Sequence, residues 1–470
     1  MAVESAEAPT GKKSVKEYAT KIFKESSVSI VSSIVATGNN RRKVFRILVF
    51  LLFTAGFLYQ CIKFLCYMLQ YPTVVNIEMS RPKEYMAPAY TFCNYNIIKR
   101  SDFCEAFPDK CVDSDETLCE EQPRYCRGNT TTKIPVKDAW KFLRNTGHAL
   151  EFGHDVKNFL VRGNWEKPNG PFLRANTEEE TTSTCYSLGE RINSTSSARY
   201  IKKVGNWKFP NDDLIFDPEE HEKFFPNSIP GMLFSVHNPY EAVNPFEQGT
   251  FMRPGYLYRI TIQKVVEELL PYPYKTDCVN YTDVWLKANK TGPRSQEMCR
   301  HKCLGDIVEQ CFNCTTATLL YPAKIDYCEA EFSMYPMKFD DCPEELLINA
   351  YDICGAKCKD DCVRSKFSYE VQETYLRQNM FYEDEDFSRR IRVVIYFDDS
   401  ETLKIRYKPQ YQEVETFSYI GGFIGIWLGI SLVQVADVFE SVFLIGRYFF
   451  RKGSGACSRK FKKSSEAESP

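Results

Sequence analysis

A chain of 470 residues is long enough for about three small domains or one large one. With 43% hydrophobic, 26% charged and 14% aromatic residues and a formal net charge of −2, it is no disordered chain, collagen or coiled coil, and it has no global basic footprint for nucleic acid. A mean hydropathy of −0.37 excludes a transporter lying mostly in the bilayer, while 19 cysteines point to an oxidising compartment or to metal sites.

Residues 1–46 carry nine Lys/Arg against four Asp/Glu. Ile47–Leu69 is then an apolar run whose one charge, Lys63, lies where it can snorkel, and it exceeds the ~20 residues that a spanning helix needs. It starts too late, runs too long and lacks the small-residue site of a cleaved signal peptide. We place the first span at 47–71 and a second at 415–448, whose apolar run starts at Phe417. Residues 446–470 carry seven basic against two acidic residues, so the positive-inside rule makes both the 1–46 segment and the 449–470 tail cytoplasmic. Residues 72–414, with 43 basic and 53 acidic residues, are then outside a plasma membrane crossed twice.

The outer segment holds all five N-glycosylation sequons, at Asn129, Asn193, Asn280, Asn289 and Asn313. It also holds sixteen cysteines, an even number that suits eight disulfides; Cys61 and Cys66 lie in the first span and Cys457 in the tail. Leu257–Val266 and Arg390–Phe397 alternate as strands, and the second leads towards the second span. Cys354, Cys358 and Cys362, spaced i, i+4, i+8, would share one face of a helix or tight ladder. Zinc at Cys311–Cys314 is the alternative to disulfides there, disfavoured by the compartment and by the Asn313 sequon inside the motif. The fold class is a disulfide-rich α+β domain between two membrane helices.

A plain anchor would be continuously apolar. The second span instead carries Gly421, Gly422, Gly425 and Gly429, then Ser431, Gln434, Asp437 and Glu440. Glycines permit close helix approach or an unwound segment, and carbonyls at a break can replace an ion's hydration. Carboxylates in a membrane are costly and face water or a partner, so around a symmetry axis they would form rings favouring cations. A helix-packing face with interfacial acids is the competing reading.

Four segments carry a family resemblance: Ala87–Asn94 (APAYTFCN), the cysteine ladder, Ile420–Ser431 (IGGFIGIWLGIS), and the acids Asp437 and Glu440. Together they make the chain similar to a subunit of the degenerin/epithelial sodium channel/acid-sensing ion channel family. The resemblance implies a homotrimer, or a heterotrimer with related subunits, conducting Na+ and typically blocked by amiloride. It implies a hand-like outer domain of palm, finger, knuckle, thumb and β-ball, with APAYTFCN as the first outer strand. It makes Gly429, Ile430 and Ser431 the selectivity filter and Asp437 and Glu440 the acids below it. It further implies the pairs Cys93–Cys185, Cys278–Cys362, Cys299–Cys358, Cys303–Cys354, Cys311–Cys342 and Cys314–Cys328. Cys104, Cys111, Cys119 and Cys126 keep three possible connectivities. Tyr67 and Tyr274 are the nearest matches to an aromatic contact between thumb and first span. Thr37-Gly38 stands where the family has His-Gly, so the gating imidazole is missing. Val414, Glu415 and Thr416 stand where small residues normally precede the pore helix.

The gating stimulus is open among protons, peptide, force and constitutive activity. Acidic groups at Asp212–Asp213, Glu219–Glu220, Asp340–Asp341, Asp360–Asp361, Asp398–Asp399 and Glu383–Asp386 could sense protons if brought together. The five histidines, His148, His154, His221, His237 and His301, all lie in the outer segment. No HExxH, GxSxG or P-loop pattern supports an ecto-enzyme. A two-span lipid or ligand receptor shares the topology without needing Gly-x-Ser and two acids. No cofactor or metal is expected beyond the permeant Na+.

Overall fold

Period-two burial builds the larger part of the molecule. In Tyr256–Glu268 the buried side chains Tyr258, Ile260 and Ile262 alternate with more exposed ones, and β-branched and aromatic residues dominate. In this computed structural model the described residues are 33–34, 36–163, 167–192, 194–202, 211–328, 344–375, 388–397, 402–431, 433–434, 436–437, 439–440 and 442–447. They divide into an outer unit, Val74–Lys408, and a second unit made of the chain up to Thr73 and from Pro409.

In chain order the strands are β1 (Thr73–Ser80), β2 (Glu84–Met86), β3 (Ala89–Asn94), β4 (Cys111–Asp113), β5 (Lys133–Pro135), β6 (Leu160–Arg162), β7 (Asn169–Asn176), β8 (Thr181–Leu188), β9 (Tyr200–Lys202), β10 (Asp212–Phe216), β11 (Met232–His237), β12 (Thr250–Met252), β13 (Tyr256–Glu268), β14 (Val363–Tyr375), β15 (Ile391–Phe397) and β16 (Thr402–Pro409). A mixed sheet runs β1-β16-β13-β15-β10-β6, with β14 also paired to β13, and an antiparallel sheet runs β12-β11-β3-β8-β7. One core joins them: Tyr90, Phe92 and Phe234 of the second sheet pack with Phe216, Tyr258, Ile260 and Val393 of the first. A separate aromatic cluster centres on Phe103, which meets Phe107, Phe142 and Phe224.

Disulfides stitch this unit. Cys93 joins Cys185 across directly paired positions of β3 and β8, and Cys278 joins Cys362. Cys299 and Cys303, one turn apart on the helix Gln296–Phe312, join Cys358 and Cys354. Cys314 joins Cys328, while Cys104–Cys111 and Cys119–Cys126 resolve the open connectivity. Cys311 is disulfide-bonded, and the Cys342 expected opposite it lies outside the described residues. Zinc at Cys311–Cys314 is overturned, because both sulfurs are spent in disulfides.

The structure sharpens three expectations. Cys354 sits inside the helix Ala350–Lys357, Cys358 caps its end and Cys362 lies beyond it, so of helix face and ladder it is the ladder that forms, with Cys303, Cys299 and Cys278 as the successive partners. APAYTFCN contains β3, but β1 and β2 come first. β15 does lead towards the predicted second span, with β16 coming between them.

In the other unit, α1 (Asn40–Met68) is capped by the Asn39 side chain, which accepts from the Arg41 N–H at 3.1 Å. The cap sets the start seven residues before the apolar run. At 1.5 Å per residue its 29 residues extend about 43 Å, beyond the ~30 Å hydrocarbon core. Among the described residues it is the one helix long and apolar enough to cross a membrane, and Leu51, Leu52 and Ile62 stand exposed along it.

Candidate ion-conduction site

The predicted second span opens with α2 (Glu413–Leu428), started by a capping box in which Glu415 reaches back to the Gln412 N–H at 3.0 Å. Val414 is exposed, and Thr416, buried, donates to the Gln412 carbonyl at 3.1 Å. The large charged Glu415 thus has a local task, as a cap. The helix stops at Gly429, whose φ of 61° is the left-handed geometry that glycine adopts without a Cβ penalty. Its N–H bonds back to the Gly425 carbonyl at 3.0 Å, and Gly429, Ile430 and Ser431 are not helical.

Helical geometry resumes below, at Val433–Gln434 and in the described residues through Arg447. Ser431 starts this second helix by reciprocal bonds. Its hydroxyl accepts from the Gln434 N–H at 3.3 Å, and its own N–H donates to Gln434 Oε1 at 2.9 Å. That is the S-x-x-Q capping box, a signal present in the sequence but masked by its apolar surroundings. Asp437 and Glu440 follow in the resumed helix, three residues apart and so on one face. A Cβ at Gly421, Gly422 or Gly425 would meet nothing within 4 Å among the described residues.

Two contact sets hold α1 near this segment. Phe64 packs against Tyr411, Tyr419 and Phe423, and the Tyr67 hydroxyl donates to Gln410 Oε1 at 2.9 Å. Trp427 donates from Nε1 to Gln60 Oε1 at 2.6 Å. Tyr274 belongs to the outer unit. Thr37 and Gly38 lie in a non-helical stretch before α1. There Arg46 Nη1 donates to Thr37 Oγ1 at 2.6 Å and to the Ser33 carbonyl at 2.9 Å. The hydroxyl of Thr37 is therefore an acceptor that ties Arg46 to the segment preceding α1.

The outer carboxylates have divided fates. Asp212, fully buried, accepts from the Tyr90 hydroxyl at 2.7 Å and pairs with Arg199 at 3.0 Å, and Asp213 pairs with Arg392 at 2.9 Å. Burial would raise Glu219, but its 2.6 Å bond to His154 wins and holds it below the usual range. Asp361 goes the other way. Burial lifts it to about 6 despite a hydrogen bond from the Gln296 N–H at 3.0 Å, and Asp360 beside it adds to the rise. Glu241, which has no acidic sequence neighbour to announce it, is pushed to about 7 by burial and by the nearby charges of Asp361 and Glu297. Burial lowers His221, His237 (to about 4) and His301, so these imidazoles are neutral at physiological pH. Asn193, Asp340–Asp341, Glu383–Asp386, Asp398–Asp399 and Cys457 lie outside the described residues.

A helix interrupted at Gly-x-Ser, carboxylates beyond the break and a disulfide-rich mixed α/β unit define a membrane-anchored class. Residues 22–441 match the amiloride-sensitive sodium channel family, and the chain belongs to that family, one of ion channels rather than enzymes. It is similar to the Bos taurus epithelial sodium channel subunit gamma, 22% identical over 298 residues, covering 59% of this chain and 45% of that one. It is similar to Danio rerio acid-sensing ion channel 2, 19% identical over 406 residues, 80% of this chain and 73% of that one. A shorter match, 29% identical over 102 residues, joins it to the FMRFamide-activated amiloride-sensitive sodium channel of Cornu aspersum, over 20% of this chain and 15% of that one. The chain spans less than half the length of the epithelial subunits it matches. A solved structure, the cryo-EM structure of a proton-activated chloride channel, aligns with 86% of this chain and 98% of its own at 7% identity, with a TM-score of 0.29 too low to bear on the fold.

Proposed function

We propose that the chain is a subunit of a trimeric, sodium-preferring, amiloride-sensitive channel of the plasma membrane, with two spans and cytoplasmic termini. The observation that carries the reading is the break at Gly429–Ser431 in a chain of this family. Its backbone oxygens are offered to a partly dehydrated cation, and Asp437 and Glu440 below attract it. Whole-cell current in oocytes tests this. Expression of the chain, alone or with related subunits, yields inward current that falls when external Na+ is replaced by a large organic cation and when amiloride is added. Surface-expressed protein without such current in any combination overturns the reading.

Protons are the stimulus that the outer unit favours, through Glu241 and Asp361. Both bind protons more tightly when folded than as free side chains, so the folded outer unit is stabilised as pH falls through about 7 and 6, and the gain is lost as pH rises. Glu241→Gln removes a buried carboxyl whose cost to stability builds up from the ordinary carboxylate range to about pH 7 and is full above it. The variant should therefore melt on the order of 2 °C higher than the parent at pH 8, with the gap closing by pH 5. An equal shift at both pH values would remove Glu241 from the response.

A further inference from the structure

The groups that hold the break in place lie outside Gly-x-Ser. Trp427, two residues before Gly429, seats its indole on α1. Its Nε1–H donates to Gln60 Oε1 at 2.6 Å, and its ring lies 6.1 Å from that of Phe53. At Gly56 a Cβ would fall 2.5 Å from Trp427 Cζ3 and 2.9 Å from two further ring carbons, far inside any real contact. Phe53, Gly56 and Gln60 are spaced i, i+3, i+7 and so line one face of α1. A glycine in mid-helix is unfavourable against alanine, so its place under the indole has a cost that the seat explains. On the far side of the break, Gln434 holds the Ser431 N–H at 2.9 Å. Only Leu428, Gly429 and Ile430 lie between Trp427 and the braced Ser431.

We infer that Trp427, in its seat of Phe53, Gly56 and Gln60, is a positioning residue for the filter turn, with Gln434 as the second brace. The seat fixes the depth of Gly429 along α1, and cation discrimination depends on that depth. This rests on the reading of Gly429–Ser431 as the filter. Glycine at 56 is required by the ring of another helix rather than by the backbone of its own.

The test is the sodium-over-potassium permeability ratio in the conducting assembly, with surface protein measured in parallel. Gln60→Leu, near-isosteric and helix-compatible, removes only the acceptor. It should lower the ratio about fivefold, equivalent to about 1 kcal/mol, at unchanged surface level. Gly56→Ala should lower it too, and Trp427→Phe, which frees room at the seat, should make Gly56→Ala nearly silent in the double variant. Should Gly56→Ala fail to reach the surface, Gln60→Leu and Trp427→Phe still decide. An unchanged ratio in both overturns the inference, as do strictly additive effects of Gly56→Ala and Trp427→Phe. If a Ser431 substitution alters the ratio and these do not, the seat fails and the filter reading stands. If neither does, the filter reading itself fails.

Discussion

A Ser431→Phe subunit should reach the cell surface and carry no sodium current. Ser431 sits at the end of the non-helical turn, with its side chain exposed in the single chain and its hydroxyl used as a helix cap. Phenylalanine removes that cap, at about 1 kcal/mol, and, on the proposed conduction path, also puts a ring at the end of the filter turn. The two effects separate by comparison. Ser431→Ala loses the cap alone and should conduct with altered selectivity, whereas Ser431→Thr keeps a capping hydroxyl and should stay closer to the parent. Full sodium current and parental selectivity in Ser431→Phe, with surface expression verified, would remove Ser431 from the conduction path.

Removing both inner rungs of the cysteine ladder should abolish delivery to the surface, while removing either one should be nearly silent. Cys299–Cys358 and Cys303–Cys354 close loops of sequence separation 59 and 51, each worth about 2–4 kcal/mol if it stood alone. They do not stand alone. Each end of one rung lies four residues from the matching end of the other, so either rung keeps the large loop closed when its neighbour is lost. Their contributions are therefore strongly non-additive. Cys303→Ala/Cys354→Ala should leave surface level within about twofold of the parent, and the four-cysteine variant should lose nearly all of it. Cys354 and Cys358 are fully buried against Ile307 and Ala350, so the double loss also opens the small core that the rungs hold shut. Equal and additive losses for the two single rungs would show that each closes its loop independently.

Much of this architecture was readable from the sequence, and the failures have physical causes. The apolar run at Ile47–Leu69 and the alternation in Leu257–Val266 are direct records of environment; the first lies within α1 and its C-cap Leu69, the second within β13. The start of α1 is not recorded that way, because Asn40–Arg46 is polar and its helix depends on the Asn39 cap. The spacing of Cys354, Cys358 and Cys362 leaves helix face and ladder open, and the ladder is settled by partners distant in sequence. The Trp427–Gln60 bond spans 367 residues, and no local pattern marks it. Glu241 is likewise an isolated acid until the fold brings Asp361 and Glu297 near it.

Three asparagines of the sequons also serve the backbone, and this bears on how sugar attachment is to be studied. Asn280 is the N-cap of the helix Tyr281–Lys287, accepting from the Asp283 N–H at 3.3 Å; Asn313 closes the helix Gln296–Phe312 in the left-handed conformation; Asn289 has a φ of 54°. The customary Asn→Gln exchange would therefore erase a cap or strain a turn together with the carbohydrate, mixing a folding defect into any trafficking result. Thr282 is exposed inside its helix, where alanine is welcome. Thr282→Ala deletes the acceptor motif at Asn280 and leaves the cap intact, giving a subunit that differs from its parent in glycan alone.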